Sequence, residues 1–512
     1  MKKQRSQWGT RAGFILAAAG SAVGLGNIWR FPYVAYENGG GAFFIPYLFA
    51  LITAGIPILI MEFAIGHKYR GSAPLSFSRM KGKKMEWVGW WGIGVAFFIS
   101  TYYSVIIAWA IKYTWYSLKL SWGSDPEGFL FGEVLKVSDA PGEIGGFVGG
   151  VLGPQIFVWA VAFVILLAGV QKGIEMANRI FIPTLIVTFG IIVIRAVTLD
   201  GAAQGLEAFF KPDLTKLLDA SVWVAAYSHI FFSMSIAFAI MVTYASYLPK
   251  KADVTNNAFI TGFANSSFEL LAGIGVFAAL GFMAAQVNVP VEDVASAGVG
   301  LAFVVFPQII SEMTSMGPLF GFLFFLSLVL AGISSLISIA ETYIAGLSDK
   351  FGISRTTAVI IGVGASAGLS LIYTTNGGLY FLDTVDYFVN HFGVAVLGLI
   401  EVVLVAWVFR ELDDLRDHAN SVSDIQLGAW WKLSLTTITP LLLGFMLFDI
   451  FRVNLMKLHD TANGNYGGLP DSFIALSGWS VSIIVIVVAI ILTAMKWRNE
   501  PMVRINKKEE SL

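Results

Sequence analysis

The chain has 512 residues, of which 56% are hydrophobic and 13% are charged, and its formal net charge is −1. Soluble proteins carry about 25% charged residues, so this composition excludes an ordinary soluble protein and indicates a polytopic membrane protein. The near-neutral charge argues against a nucleic-acid partner. The chain contains no cysteine, which excludes disulfides, thiolate metal sites and a cysteine nucleophile.

Apolar runs of about 20 residues with few charges are long enough to cross a bilayer as helices. The sequence contains twelve such runs and no linker or large soluble segment, which predicts an all-α membrane protein with a single domain over residues 1–512. An even number of spans places both termini on one side of the membrane. The predicted spans are 11–36, 41–65, 87–115, 153–171, 178–199, 221–248, 255–284, 317–347, 355–373, 380–409, 429–452 and 473–496.

The distribution of lysine and arginine predicts which side holds the termini. Loop 121–152 has one basic residue, Lys136, among five acidic ones. Loop 67–85 and the tail after the last span are strongly basic, and basic loops stay in the cytoplasm. Both termini are therefore predicted to be cytoplasmic. The basic residues concerned are Lys68, Arg70, Arg79, Lys81, Lys83, Lys84, Lys496, Arg498, Arg504, Lys507 and Lys508.

Span 1 contains an unusual stretch at residues 20–32, which reads G-S-A-V-G-L-G-N-I-W-R-F-P. Gly20, Gly24 and Gly26 are poor helix formers. A span weakened in its middle can expose backbone carbonyls to an ion, which membranes tolerate only where the break lines an enclosed cavity. The alternative is close helix packing through the spacing of Gly20 and Gly24.

Span 6 has a second weak point, with Ser233 and Ser235 at its centre. The second half of a broken span 1 would present free N–H groups near Gly26, which suit a carboxylate. The first half of span 6 would end near Phe232 with free carbonyls, which suit an ammonium group or sodium. The two breaks together predict a site for a zwitterion. The apolar loop 285–316 is expected to pack into the protein as a lid over an outer vestibule.

The stretch 20–32, followed by E-N-G-G-G-A-F at residues 37–43, closely resembles the first span of the neurotransmitter:sodium symporter family, and most closely its bacterial LeuT-type amino-acid transporters. The similarity extends over nearly the whole chain. It implies a transporter and not an enzyme. It also implies the LeuT fold, with broken helices 1 and 6. Residues 11–199 and 221–409 would form a five-plus-five inverted repeat, and residues 429–496 two additional helices. The missing outer-loop cysteine pair of animal members favours the inner membrane of a prokaryote.

The resemblance implies which residues bind the substrate and two sodium ions. Gly24 stands where monoamine transporters carry an aspartate, so the substrate's own carboxylate would complete the first sodium site. Ala237 stands where glycine is frequent, which favours small or medium substrates. The implied substrate-binding residues are Ala22, Val23, Gly24, Leu25, Gly26, Tyr103, Phe232, Ser233, Ser235, Phe238, Ser335 and Ile339. Sodium site one would use Ala22, Asn27, Ser233 and Asn265, and site two Gly20, Val23, Ala331, Ser334 and Ser335. Ser334 and Ser335 could instead be helix-packing serines.

Glu269 is the only charge within span 7, and intramembrane charges are usually functional. Chloride-dependent relatives have a serine at this position, with a tyrosine matching Tyr47, so the resemblance implies a carboxylate that replaces chloride. Glu269 could also carry a proton in exchange, or be a buried protonated carboxyl. His229 replaces a glutamine of the bacterial pattern and is interpreted as a hydrogen-bonding group. Glu62 and Glu401 are interpreted as structural.

Two gates follow from the resemblance. Arg30 and Asp386 would close the outer path, and we call them the outer gate. Arg5, Trp8, Tyr247 and Asp349 would fasten the N-terminal tail on the cytoplasmic side, and we call them the inner gate. Each gate should be marginally stable, because alternating access requires each to open.

The sequence thus predicts a sodium-coupled symporter for neutral, hydrophobic α-amino acids of small or medium size. It would be chloride-independent and embedded in lipid as a monomer or homodimer. Two alternatives stay open: the same scaffold carrying an osmolyte or an ω-amino acid, or a sensor that binds its ligand without transporting it. Competition binding with a panel of amino acids distinguishes the first alternative from the predicted symporter. Accumulation of substrate in proteoliposomes distinguishes the second, because a sensor would bind its ligand without accumulating it.

Overall fold

A computed structural model describes residues 5–313, 316–457, 466 and 468–498, and Arg504, Lys507 and Lys508 of the basic tail lie outside them. Within these ranges the chain is helical, with only isolated bridges between extended residues. Nine helices are long and apolar enough to cross a membrane in the described part of the chain. They are Gly41–Tyr69, Lys83–Ser117, Gly149–Val197, Val254–Val287, Gly317–Phe351, Arg355–Thr374, Gly378–Val408, Ala429–Lys457 and Asp471–Ala494.

These helices are consistent with the predicted twelve spans. The run Gly149–Val197 covers both predicted span 4 and predicted span 5. Its first helix, Gly149–Gly169, ends at Gly169, whose φ of +91° separates the two spans. Span 1 consists of two helices, Arg11–Ala22 and Leu25–Glu37, which meet at an angle of 56°. Span 6 consists of helix Ala220–Ser233 and helix Ile240–Ala245, each too short to cross alone.

The break in span 1 lies at Val23 and Gly24. Gly24 is extended, with φ of −123° and ψ of −167°, and caps the second half-helix. The Asn27 side chain stabilises this cap, because its Oδ1 accepts a hydrogen bond from the Gly24 N–H at 2.8 Å. The glycine and the asparagine of the motif therefore have a direct structural role: they end one half-helix and begin the next inside the membrane.

The break in span 6 is longer and contains no glycine. Ser235, Ala237 and Ala239 have φ angles of +54°, +62° and +62°, in the left-handed region that side-chain-bearing residues rarely adopt. Glu62 of span 2 accepts a hydrogen bond from the Ala237 N–H at 2.6 Å. An unwound backbone in a membrane needs such partners for its polar groups. This contact agrees with the structural role expected of Glu62, and the angle at Ala237 explains why glycine suits the position.

Two loop regions complete the frame around the breaks. As predicted, the apolar segment between spans 7 and 8 packs into the protein, with Leu301, Phe303 and Phe306 buried. The sequence did not predict helix Ala73–Lys81 after span 2 or helix Leu412–Val422 after span 10. Both lie on the surface that carries loop 70–85 and residues 494–498, which we call the basic face.

Candidate functional site

A cavity of about 580 Å³ lies between the two breaks and extends away from the basic face. Spans 1, 3, 6, 8 and 10 line it, together with the segment 297–299 of the apolar loop. The structure brings together every predicted substrate-binding residue except Val23, which is buried outside the cavity wall. The lining residues on that list are Ala22, Gly24, Leu25, Gly26, Tyr103, Phe232, Ser233, Ser235, Phe238, Ser335 and Ile339.

The floor of the cavity is shaped by the two glycines that flank Leu25. A Cβ atom at Gly24 would lie 3.0 Å from the Tyr103 hydroxyl and 3.2 Å from Ser335 Oγ, so a side chain there would displace a neighbour. At Gly26 the same atom would meet no described atom within 4 Å. The Tyr103 hydroxyl accepts a hydrogen bond from the Leu25 N–H at 3.2 Å. The N-terminus of the second half-helix therefore borders open space suited to a carboxylate.

Three of the four predicted ligands of sodium site one form one hydrogen-bonded group. Asn27 Nδ2 donates to Asn265 Oδ1 at 2.8 Å, and Asn265 Nδ2 donates to Ser233 Oγ at 2.6 Å. All three side chains come from different spans, and Ala22 lines the cavity beside them. Amide and hydroxyl oxygens are hard ligands that suit an alkali cation.

Glu269 lies directly behind this group and is fully buried. Its Oε1 accepts from Asn27 Nδ2 at 3.2 Å and contacts His229 Nε2 at 2.7 Å, and it also accepts from the Ser233 hydroxyl. Its Oε2 accepts from the Tyr47 hydroxyl. No lysine or arginine among the described residues forms an ion pair with Glu269. The carboxyl group of Glu269 therefore contacts the polar group around Asn27 without a basic partner of its own from lysine or arginine among the described residues.

Four of the five predicted ligands of sodium site two, all but Val23, also lie in contact, and none of them is charged. Ser334 Oγ donates to the Gly20 carbonyl at 2.9 Å and to the Ala331 carbonyl at 2.8 Å, and Ser335 Oγ lies 3.4 Å from the same Gly20 oxygen. Val23 lies at the end of the half-helix, where its N–H donates to Ala19. The group joins the first half of span 1 to span 8 entirely through neutral oxygens.

The inner gate is formed. Arg5 Nη1 lies 3.0 Å from Asp349 Oδ2, and the guanidinium carbon lies 5.0 Å from the centre of the Tyr247 ring. Trp8 is buried, and its Nε1 donates to the Tyr244 carbonyl at 2.9 Å. None of the four predicted residues lines the cavity. The cavity between the breaks therefore does not extend to these residues.

The outer gate residues both line the cavity, but no ion pair joins them within the described ranges. The Arg30 guanidinium carbon lies 5.2 Å from the centre of the Phe232 ring. Asp386 Oδ1 accepts a hydrogen bond from Asn390 Nδ2 at 2.8 Å. The two charges therefore face the same space, and each is held by a neighbour.

Several lining residues were missed by the sequence analysis. Ile99 lies four residues before Tyr103, and Ile106 lies three residues after it, so all three share one face of span 3. Asn390 lies one turn after Asp386. Helical spacing from the predicted residues would have found these positions. The segment 297–299, at the start of helix Gly298–Glu312, carried no such signal, because it lies far in sequence from the predicted site residues.

Comparisons with known proteins agree with this geometry. A model of the sodium:neurotransmitter symporter family matches residues 5–127 and 123–500. An uncharacterised sodium-dependent transporter of Methanocaldococcus jannaschii is 41% identical over 493 residues, covering 96% of this chain and 98% of that protein. The human sodium- and chloride-dependent GABA transporter 2 is 31% identical, covering 81% of this chain and 75% of that protein. The crystal structure of MhsT in complex with L-phenylalanine matches with a TM-score of 0.72 and 32% identity, covering 88% of this chain and all of that one.

Proposed function

The chain belongs to the sodium:neurotransmitter symporter family, and we propose that it takes up neutral, hydrophobic α-amino acids with sodium by alternating access. It is a sodium-dependent multi-pass membrane transporter with the LeuT fold, and not an enzyme. The substrate class, the two sodium sites and the role of each residue below are proposals. The observation that carries them is the cavity between the two breaks, where an N-terminus, a set of carbonyls and apolar walls meet.

The substrate carboxylate would lie at the N-terminus of the half-helix Leu25–Glu37, in the open space beside Gly26. Its amino group would lie at the end of helix Ala220–Ser233, near the carbonyl of Phe232. The side chain would contact Ile99, Ile106 and other apolar residues of the wall, which favours a hydrophobic amino acid. This agrees with the L-phenylalanine bound to MhsT. The size limit expected from Ala237 has no support, since Ala237 does not line the cavity.

Two sodium ions would be carried with each substrate. Site one would use Ala22, Asn27, Ser233 and Asn265 with the substrate carboxylate, and site two would use Gly20, Val23, Ala331, Ser334 and Ser335. The convergence of oxygen atoms at both places supports this assignment. We place the basic face and both termini in the cytoplasm of a prokaryote, in line with the basic residues of loop 67–85.

Glu269 would supply the anion that chloride supplies in some relatives. Its contacts with Asn27 and Ser233, two of the proposed ligands of site one, support this role. A buried carboxylate lowers the electrostatic cost of binding a cation nearby. Transport would then not need chloride, and Glu269 could return outward with a proton.

Uptake into proteoliposomes tests this role. We expect the wild type to accumulate a radiolabelled hydrophobic amino acid with inward sodium equally well in chloride and in gluconate. In gluconate, uptake by Glu269→Ser should be at least about tenfold lower than uptake by the wild type, because removal of a charge near a buried cation costs more than about 1.4 kcal/mol. In chloride, uptake by this variant should recover. Glu62→Gln is the matched control: a second buried carboxyl whose loss should create no chloride dependence. Chloride-dependent uptake by the wild type would contradict the proposal.

The second candidate is an ω-amino acid or an osmolyte. It is favoured by the sequence identity of this chain to the human GABA transporter 2, which is 31%, and to the human taurine transporter, which is 30%. Competition against labelled phenylalanine with γ-aminobutyrate, taurine and a panel of α-amino acids separates the two. Displacement by the ω-amino acids alone would overturn the proposed substrate class.

A further inference from the structure

A pair of histidines joins the end of span 2 to helix Leu412–Val422 at the basic face. His67 Nδ1 lies 2.9 Å from His418 Nε2, and His67 Nε2 lies 2.8 Å from the carbonyl oxygen of Pro249. His67 is buried. Neither residue lines the substrate cavity or belongs to the proposed sodium sites. The pair is therefore a separate titratable group.

The ring contacts assign one arrangement of protons to the pair, in which the shorter contact, from His67 Nε2 to the Pro249 carbonyl at 2.8 Å, is the hydrogen bond and Arg70 at 3.2 Å is a neighbouring charge. A carbonyl oxygen only accepts, so His67 Nε2 carries a hydrogen and donates it to Pro249. In a neutral ring the other nitrogen, His67 Nδ1, is then an acceptor. His418 Nε2 must therefore carry a hydrogen and donate it to His67. The observed contacts describe two neutral histidines in a chain of two hydrogen bonds.

The surroundings oppose protonation of this pair. From span 2, Arg70 Nη2 lies 3.2 Å from His67 Nε2, and Lys68 forms an ion pair with Asp414 of the helix. Burial and the charges of His67, Lys68 and Arg70 lower the pKa of His418 to about 3, with Asp414 acting in the opposite direction. The segment after span 6 faces the pair with the Pro249 carbonyl and not with a charged side chain. A proton added here would lie among cations.

The sign of the resulting pH dependence follows from linkage. A free histidine titrates at a pKa of about 6.5, and the docked ring binds its proton much more weakly. Docking of the helix is therefore complete above about pH 6.5 and weakens as the pH falls below this value. Between pH 7.5 and pH 5.5 the docking equilibrium should shift by about tenfold for each histidine that becomes protonated on release.

The pair lies next to the inner gate. Pro249 is two residues after Tyr247, whose ring contacts Arg5. The far end of the helix also holds span 7, because Ser423 Oγ accepts hydrogen bonds from the N–H groups of Val254 and Thr255 at 3.1 Å and 3.0 Å. Release of the helix would thus loosen spans 2, 6 and 7 together at the face that the inner gate closes.

We propose that His67 and His418 form a proton-binding regulatory site through which an acidic cytoplasm loosens helix Leu412–Val422 and weakens the inner gate. The inference depends on the docking contacts and not on which solute is carried.

Hydrogen exchange and uptake by the full-length protein test the proposal, with the pH of each side set separately. We expect amides of residues 412–423 to exchange about a hundredfold faster at pH 5.5 than at pH 7.5 after correction for the intrinsic rate, which is about tenfold for each of the two histidines. In right-side-out vesicles, lowering the internal pH alone should raise the external KM for substrate. The reason is that a weakened inner gate leaves fewer molecules in the outward-facing state.

His418→Gln is the matched variant, because a glutamine amide can donate the same hydrogen bond to His67 without titrating. Because His67 can still be protonated on release, exchange in this variant should become only about tenfold faster at pH 5.5, and the rise in KM at low internal pH should be smaller than in the wild type. Any pH dependence arising at Glu269 persists. His67→Gln, which can still donate to Pro249, serves as a second variant should the first fail to fold. Wild-type pH dependence in both variants would overturn the proposal, as would an effect produced only by external pH.

Discussion

The two gates contain the same kinds of residue, yet the structure shows them in different conditions. At the inner gate Arg5 and Asp349 are in contact, and Trp8 is buried against Tyr244. At the outer gate Arg30 and Asp386 line one cavity without touching. The charges alone do not decide which gate is closed. The two pairs also differ in their other partners. Asp386 accepts a hydrogen bond from Asn390 and Arg30 lies over the Phe232 ring, whereas Asp349 accepts from the Ser72 N–H and Arg5 donates to Ser246 Oγ.

The largest expected effect comes from opening the inner gate. Arg5→Ala removes the ion pair and leaves the partly buried Asp349 without its cation, a loss that costs several kcal/mol when a pair is fully buried and less here. We expect uptake to fall at least about tenfold. Because the chain has no cysteine, a single cysteine at the buried Thr243 can report access from the basic face. Its labelling should become faster by a similar factor.

Arg5→Lys is the control for this experiment, because it keeps a positive charge opposite Asp349 and should retain most of the uptake. If the labelling rate of the Thr243→Cys protein were the same with and without Arg5, the inner gate would not depend on this ion pair.

A smaller effect is expected at the outer gate. Asp386→Asn keeps the shape and the contact with Asn390 but removes the attraction for Arg30 that closes the outer path. We expect uptake to fall about three- to tenfold, as for the loss of one charge-assisted interaction, and bound substrate to dissociate outward faster. Labelling of Thr243→Cys from the basic face should not change. Asp383→Asn, at an exposed position of the same cavity, is the matched control, and an equal effect of both variants would contradict a specific role of Asp386.

The smallest effect is expected from a single neutral hydrogen bond of the inner gate. Trp8→Phe keeps an aromatic ring beside Tyr244 and Tyr247 but loses the bond from Nε1 to the Tyr244 carbonyl. A neutral hydrogen bond contributes about 0.5–1.5 kcal/mol, so labelling of Thr243→Cys should become about two- to tenfold faster. Trp8→Ala should have a larger effect, and equal rates in both variants would show that the ring contributes nothing.

Much of the fold could be predicted because membrane spans follow from hydropathy, and the broken first span from its glycines. The extent of the break in span 6 could not be predicted. Residues 234–239 include alanine, isoleucine and phenylalanine, which tolerate a helix, and the unwound form depends on partners from elsewhere such as Glu62. Tertiary contacts therefore override local preference at this position.

The candidate site likewise contains features that could be predicted from the sequence and features that could not. The motif around Gly24 and the serines of span 8 pointed to residues that the structure brings together. Val23 was expected in the cavity wall but lies buried behind it, because the break turns the backbone between Ala22 and Gly24. The closure of one gate and not the other could not be predicted, since it depends on distances between side chains far apart in sequence.

The fixed carboxylate of Glu269 has a consequence for the electrical behaviour of the proposed transporter. A symporter that carried chloride with two sodium ions and a zwitterion would move one net positive charge in each cycle. A protein whose anion is part of the chain would move two. Each charge is driven by about 2.3 kcal/mol per 100 mV of membrane potential, so voltage alone could supply about twice the driving force for accumulation. If Glu269 carried a proton outward in the return step, the net charge moved in each cycle would fall from two to one. The external proton concentration would then become part of the driving force.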